Sequence, residues 1–233
     1  WFQLYVFRDR AVTDALMEEA VACGFKAIVL TVDAPYAGRR ERDTRAGFTV
    51  PPEIAAPSIA AASGATEPLS VREVFELIDP ALTWNDLEAL CGRCDLPVLV
   101  KGVLTAEDAA LAVEHGAAGI VVSNHGGRQL DAAPASLDAL PEVVDVVDGR
   151  AEVLLDGGVR RGTDVVTALA LGAQAVLVGR PALWGLAAAG EDGARRVLEI
   201  LREEVELALA LCGCAAPESV TREHVQRAPR THL

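Results

Sequence analysis

The feature that most constrains this chain is a recurrence. Six short apolar runs, Phe2–Phe7, Ala27–Asp33, Pro97–Val103, Gly119–His125, Glu152–Gly157 and Ala175–Arg180, alternate with helical patterns and gather polar or charged residues at their carboxyl ends. Most are unbroken Val, Ile and Leu stretches rather than alternating ones, as strands buried on both faces of a parallel sheet require. Three helical stretches end at a glycine shortly before a strand: Gly24 before Ala27, Gly116 before Gly119 and Gly172 before Ala175. Glycine adopts the left-handed conformation that stops a helix, so the repeated spacing marks one αβ connection used three times. Thr105 with Asp108 three residues on, and Thr163 with Asp164, mark two helix starts. Strand and helix therefore alternate, and the predicted class is α/β with a parallel sheet.

No GxGxxG follows the first strand, which weakens a dinucleotide-binding doubly wound sheet. Polar residues at the carboxyl ends of all the strands match the active face of a (β/α)8 TIM barrel. Six strands stand where such a barrel needs eight, so the first two are expected to be missing. Trp1 opens inside an apolar run and Met17 is the one methionine, so the natural start is expected upstream. Residues 1–233 are expected to form one partial barrel domain. Its irregular stretch, at about 34–83, holds Pro51, Pro52, Pro57 and an Ala/Ser run around 59–66. A loop of that length is expected to be a mobile cover over the active face.

Composition excludes several classes. A net charge of −13 leaves no basic face for nucleic acid. No apolar stretch is long enough to span a bilayer, and neither a signal peptide nor a membrane anchor is seen. Aromatic residues are only 4% of the chain, so Ala, Val and Leu must build the core. Of five cysteines, Cys91 and Cys94 form a CxxC and Cys212 and Cys214 a CxC. A redox pair should open a helix after a strand, but Cys91 and Cys94 close a helical stretch before one. They are expected to be reduced thiols of a cytoplasmic protein, with no metal bound.

The densest chemistry lies in Ser123-Asn124-His125-Gly126-Gly127-Arg128-Gln129-Leu130-Asp131, just past a buried strand. A histidine can move a proton while an arginine three residues on holds a negative charge. His125 alone would more often be structural. With Asp33 at another strand end it becomes a candidate base with an orienting carboxylate. Asp156-Gly157-Gly158-Val159-Arg160-Arg161-Gly162 follows a strand and leads into a helix. Glycines let backbone N–H groups approach an anion, and a helix N-terminus and arginines add positive potential. Gly179-Arg180-Pro181 offers a second such corner. Either corner alone could be an ordinary turn; both together, after the last two strands, favour a phosphate-bearing ligand. Lys101 ends four apolar residues and is expected to point into the site. Arg39 and Arg40 open the long loop, and His115, His224 and His232 are expected at the surface.

The segments SNHGGRQLD, FQLYVFRDR, LTVDAP with GRR, LVKGV, LLDGGVRRGTDV and VGRP, in that spacing and from Trp1 to about Cys214, closely resemble the FMN-dependent α-hydroxy-acid oxidase and dehydrogenase family. Glycolate oxidase, lactate oxidase and mandelate dehydrogenase belong to it, and the early segments are similar to bacterial hydroxymandelate oxidases. The resemblance implies FMN as cofactor and an (S)-2-hydroxy-acid oxidoreductase converting a lactate-, glycolate- or mandelate-type acid to its 2-oxo acid. It implies that His125 is the base, Asp33 its stabiliser, and Arg128 and Arg40 the carboxylate ligands, with Tyr5 at the substrate hydroxyl. It assigns Lys101 to the flavin N1–O2 edge and Gln3, Thr31 and Ser123 to the ring's polar atoms. Asp156, Gly157, Gly158, Arg160, Gly179 and Arg180 would take the ribityl chain and phosphate. Oxygen, a quinone or another carrier would accept the electrons, and a homo-oligomer, a tetramer, is the family expectation. Two other readings remain: a flavin-dependent isomerase on the same barrel, and a truncated, non-catalytic chain that binds FMN weakly or not at all.

Overall fold

A computed structural model describes residues 1–227; His232 lies outside the described residues. The six strands are β1 (Phe2–Leu4), β2 (Ile28–Thr31), β3 (Val98–Val103), β4 (Gly119–Val122), β5 (Glu152–Leu155) and β6 (Ala175–Val176). They form one sheet in sequence order. Every pairing is parallel. Each strand lies within one of the six apolar runs, and all but β3 stop short of the run's end. Asp33, His125 and Asp156 belong to the loops that leave the sheet, whereas Thr31 and Lys101 lie within β2 and β3. Among the described residues, β1 and β6 are the outer strands, each with one neighbour.

Helices connect the strands. They are α1 (Arg10–Ala22), α2 (Glu41–Ala46), α3 (Pro52–Ala55), α4 (Pro57–Ala62), α5 (Val71–Leu77), α6 (Trp84–Arg93), α7 (Ala106–Glu114), α8 (Ser136–Val147), α9 (Gly162–Ala170) and α10 (Arg180–Leu211). Gly24, Gly116 and Gly172 have φ of 79°, 91° and 105°, the left-handed stops predicted from their spacing. Thr105 caps α7 by accepting from the Asp108 backbone N–H. The long α10 breaks at Ala189–Gly190, and its two parts meet where Gly185 lies against Gly193, leaving no room for a Cβ on either.

Alternate side chains of each strand face opposite sides of the sheet. One side packs on the helices: Ile28, Leu30, Val100, Ile120 and Val122 are wholly buried there. Each such Leu or Ile contributes about 2 kcal/mol of burial. The other side carries the smaller stripe Ala27, Val29, Leu99, Val121 and Leu154.

The segment 34–83 differs from the irregular cover expected of it. It contains α2 to α5, and α4 packs on α1. Pro52 and Pro57 stand at the first positions of α3 and α4, where a missing N–H costs nothing. The Ala-rich run that follows Pro57 is a good helix former. No helix among the described residues is long and apolar enough to cross a membrane.

Candidate active site

The inner stripe explains where the chemistry sits. Val29, Leu99, Val121 and Leu154 face one side. The next side chain on that side, two residues on, is Thr31, Lys101, Ser123 and Asp156 in turn. Asp33 and His125 lie one further step along. Gln3 of β1 is in register with Val29. The apolar floor of the sheet thus runs directly into a polar rim. Beside that rim is a cavity of about 530 Å³, lined by Gln3, Lys101, His125, Arg128, Asp156–Arg160 and Gly179–Pro181. A second cavity, about 280 Å³, lies against the helix-packed side between β2, β3 and the start of α6.

His125 Nδ1 is 3.0 Å from Asp33 Oδ1. A carboxylate accepts, so Nδ1 carries the proton and Nε2 is left as the basic nitrogen. The ring is aimed by an unusual backbone. His125 has φ 57°, and its N–H donates to the Ser123 hydroxyl at 3.0 Å. A non-glycine residue in that region costs roughly 1–3 kcal/mol and needs the surroundings to impose it. Asp33 is seated by Gly102, at a register shift in β3: a Cβ there would come within 2.6 Å of the Asp33 Cβ. Asp33 Oδ2 is buried without a partner.

Beside this pair two arginines come together. The Arg40 guanidinium donates to the Arg128 carbonyl and, at 3.1 Å, to Gln129 Oε1. Burial holds the Arg40 pKa below its usual value, and the charge of Arg128 lowers it further. Two like charges placed together mark a site built to receive an anion, with forked donors suited to a carboxylate. Tyr5 is half-buried, and its hydroxyl accepts from Gln3 Nε2 at 3.2 Å. Burial, followed by the charge of Asp33, raises the Tyr5 pKa above its ordinary 10.0, so the phenol stays protonated and able to donate.

At the centre of the rim Lys101 Nζ is 3.1 Å from Asp156 Oδ2 and donates to Ser123 Oγ at 3.1 Å. Lys101 and Asp156 are only 12% and 15% exposed, so each charge depends on the other. Asp156 Oδ1 is buried and unpartnered, an acceptor ready for a ligand hydroxyl. Gln3 Nε2 also donates to Thr31 Oγ1 at 2.9 Å. Gly157 and Gly158 follow with φ of 88° and 82°. A Cβ on Gly157 would press to 3.0 Å on the Asn124 and Ser136 side-chain oxygens. Arg180 donates to the Gly126 carbonyl at 2.8 Å, joining the turn after β4 to the corner after β6. Arg160 lies over the Trp184 ring at 5.6 Å.

The helix N-terminus after β5 departs from expectation. The backbone N–H groups of Arg160 and Arg161 both donate to Asp164, and that of Gly162 donates to Glu204. Arg161 pairs with Glu204 at 2.8 Å. Those donors are taken, so an anion here must rely on the glycine backbone, Arg160 and Arg180. That set of cations and glycines, with the open acceptor on Asp156, fits a ligand carrying both hydroxyls and a phosphate.

Most of the residues singled out from the sequence line this one cavity or its edge. Arg40 reaches the edge through Arg128 and Gln129, whereas neighbouring Arg39 is exposed. His115 is half-buried, 3.1 Å from Glu88 and stacked on Trp84, and His224 is exposed. Gly102 and Gln129 were missed. The glycine inside a strand was a legible sign of close backbone approach, but the role of Gln129 depends on partners about ninety residues away.

Known proteins resemble this chain in sequence and fold. The family described as FMN-dependent dehydrogenase matches residues 1–227. An L-lactate oxidase of Nostoc sp. is 54% identical over 226 residues, covering 94% of this chain and 62% of that protein. The 2-hydroxyacid oxidase 1 of Homo sapiens is 47% identical over 237 residues, covering 98% and 64%. A crystal structure of mandelate oxidase with (S)-4-hydroxymandelic acid superimposes with a TM-score of 0.86 at 49% identity, covering 95% of this chain and 64% of that one. The chain therefore spans less than two thirds of the length of these relatives.

Proposed function

The chain belongs to the FMN-dependent dehydrogenase family, and we propose that it carries the chemistry for oxidising a small (S)-2-hydroxy acid of lactate, glycolate or mandelate type to the 2-oxo acid. The observation that carries this reading is the His125–Asp33 pair at 3.0 Å, with the Arg40 guanidinium held on the Arg128 carbonyl beside it. A proton acceptor next to a carboxylate clamp is what a hydroxy acid requires. The names of the lactate and mandelate oxidases support the substrate class. FMN, when bound, supplies the two-electron acceptor.

In this reading Arg128 and Arg40 bind the substrate carboxylate and fix which face of the 2-carbon meets the cofactor. Tyr5, kept protonated by burial and by Asp33, donates to the substrate hydroxyl oxygen. His125 Nε2 takes a proton from the substrate, and Asp33 stabilises the resulting imidazolium through Nδ1. Lys101 would set a buried positive charge beside the flavin ring. Gln3, Thr31 and Ser123 would meet the ring's polar atoms. Asp156, Gly157 and Gly158 would hold the ribityl chain, and Arg160, Gly179 and Arg180 the phosphate.

The oxidase names of the relatives favour oxygen over a quinone as final acceptor. The proposal includes a homo-oligomer, as the family resemblance implies. The free thiols support a cytoplasmic location.

The test is steady-state oxidation of (S)-lactate, glycolate and (S)-mandelate by the FMN-loaded chain. Turnover that is lost in His125→Ala supports the reading. An unchanged Michaelis constant and rate in Arg128→Ala would contradict it, because losing a charge-assisted contact costs about 2 kcal/mol.

A further inference from the structure

Gln129 makes four side-chain hydrogen bonds, all to one stretch of eight residues. Its Nε2 donates to the carbonyls of Asp33 at 3.2 Å and Tyr36 at 3.0 Å. Its Oε1 accepts from the Gly38 N–H at 3.2 Å and from Arg40 Nη2 at 3.1 Å. An amide has two donors and room for two acceptors, so this side chain is fully used. Turned over, it would set N–H against N–H and oxygen against carbonyl, so the partners permit only one orientation.

The stretch it grips runs from the residue that faces His125 to the arginine beside Arg128. Arg40 has a reason to leave. It is partly desolvated and feels the positive charge of Arg128, and both effects disfavour its charged form. What holds it is the Arg128 carbonyl and the Gln129 amide oxygen. Gly38 completes the fit: a Cβ there would collide with the Arg128 carbonyl and the Arg40 guanidinium. The backbone must pass that close for the Gly38 N–H to reach Gln129.

We propose that Gln129 is a positioning residue that holds Arg40 beside Arg128 before any ligand arrives, so that the carboxylate clamp is preformed. This deepens the 2-hydroxy-acid reading and, for its kinetic part, rests on it. The consequence is that binding a carboxylate does not first have to order Arg40 against the repulsion of Arg128.

Two measurements test this. The first needs no cofactor: limited trypsin digestion of the chain and of Gln129→Leu. Cleavage after Arg39 and Arg40 is expected to be roughly tenfold faster in the variant, the effect of losing a charge-assisted contact, while cleavage after Arg72 in α5 is unchanged. The second is a double-mutant cycle with Arg40→Ala on FMN-loaded protein, using (S)-lactate and (S)-mandelate. Gln129→Leu should raise KM about tenfold, with a smaller change in kcat and no change in FMN affinity. Adding it to Arg40→Ala should cost little more, because both remove the same contact. Equal cleavage of the two proteins, or KM effects that multiply in full, would overturn the proposal. If the unsubstituted chain turns over none of these acids, the 2-hydroxy-acid reading fails, and the cleavage comparison alone decides whether Gln129 holds Arg40.

Discussion

At the His125 end of the cavity the chain supplies its own partners: Asp33, Gln129 and the Arg128 carbonyl fix His125 and Arg40 through bonds between distant segments, and Ser123 adds a local one. At the other end, after β5 and β6, the structure is more open. β6 is only two residues long, Leu183 and Trp184 beside it are 60% and 53% exposed, and the cations there rest on a ring and a carbonyl. In the proposed reading, the first region is preassembled to handle a proton and a carboxylate. The second is a cradle of glycines and cations whose remaining partner is a ligand. On the proposed function, the acid–base geometry is then a property of folding, and grip on a phosphate-bearing cofactor a property of binding.

Substitutions should separate the two regions. The largest effect is expected for His125→Ala: turnover falls about 10³-fold, while FMN affinity, measured by fluorescence titration, stays the same. Lys101→Met tests the boundary between them. It leaves the Asp156 carboxylate in a largely buried place without its cation. Urea denaturation should show a stability loss of about 3 kcal/mol; a change under about 0.5 kcal/mol, the size of an exposed pair, would mean the pair is solvated.

Gly102→Ala attacks the first region through packing. Gly102 has φ 114° and abuts Asp33, so the variant should lose about 2 kcal/mol of stability. Its kcat should also fall, with FMN affinity spared. Arg180→Ala should do the opposite, weakening FMN about tenfold with kcat at saturating FMN nearly unchanged. Equal effects of these two variants on both readouts would erase the distinction between the regions.

The smallest effect concerns pH. The Tyr5 pKa is raised on folding, so the neutral phenol favours the folded state. That contribution is complete below pH 10 and is lost as pH rises through the folded pKa. Spectroscopic titration should reveal a phenol ionising above pH 10 that is absent in Tyr5→Phe, and the variant should lose less stability on the alkaline side.

Much of this architecture is legible in the sequence, for physical reasons that also explain what is not. Apolar runs, most of them unbroken Val/Ile/Leu, mark the six strands, and Gly24, Gly116 and Gly172 mark the helix stops, because both signals are local. Most strand ends were drawn too late: Asp33 and His125 sit past the last ladder hydrogen bond, and Asp156 takes part only through its own N–H to the Val122 carbonyl. The stretch 34–83 was misjudged because its prolines look like loop punctuation, although two of them open helices. His125, Asp33, Lys101 and Asp156 were visible as polar endings of apolar runs. Gln129 and Glu204 were not, because each acts through backbone groups on a remote segment that no local pattern encodes.

The most direct test of the central claim is a titration of FMN into the unsubstituted chain, followed by quenching of flavin fluorescence and repeated with His125→Ala. The account predicts saturable, stoichiometric quenching that is the same in both proteins, because the cradle after β5 and β6 is independent of the acid–base pair. Flavin fluorescence that stays that of free FMN throughout would contradict it: the cavity beside Lys101 and Arg180 would then not be a cofactor site in this chain.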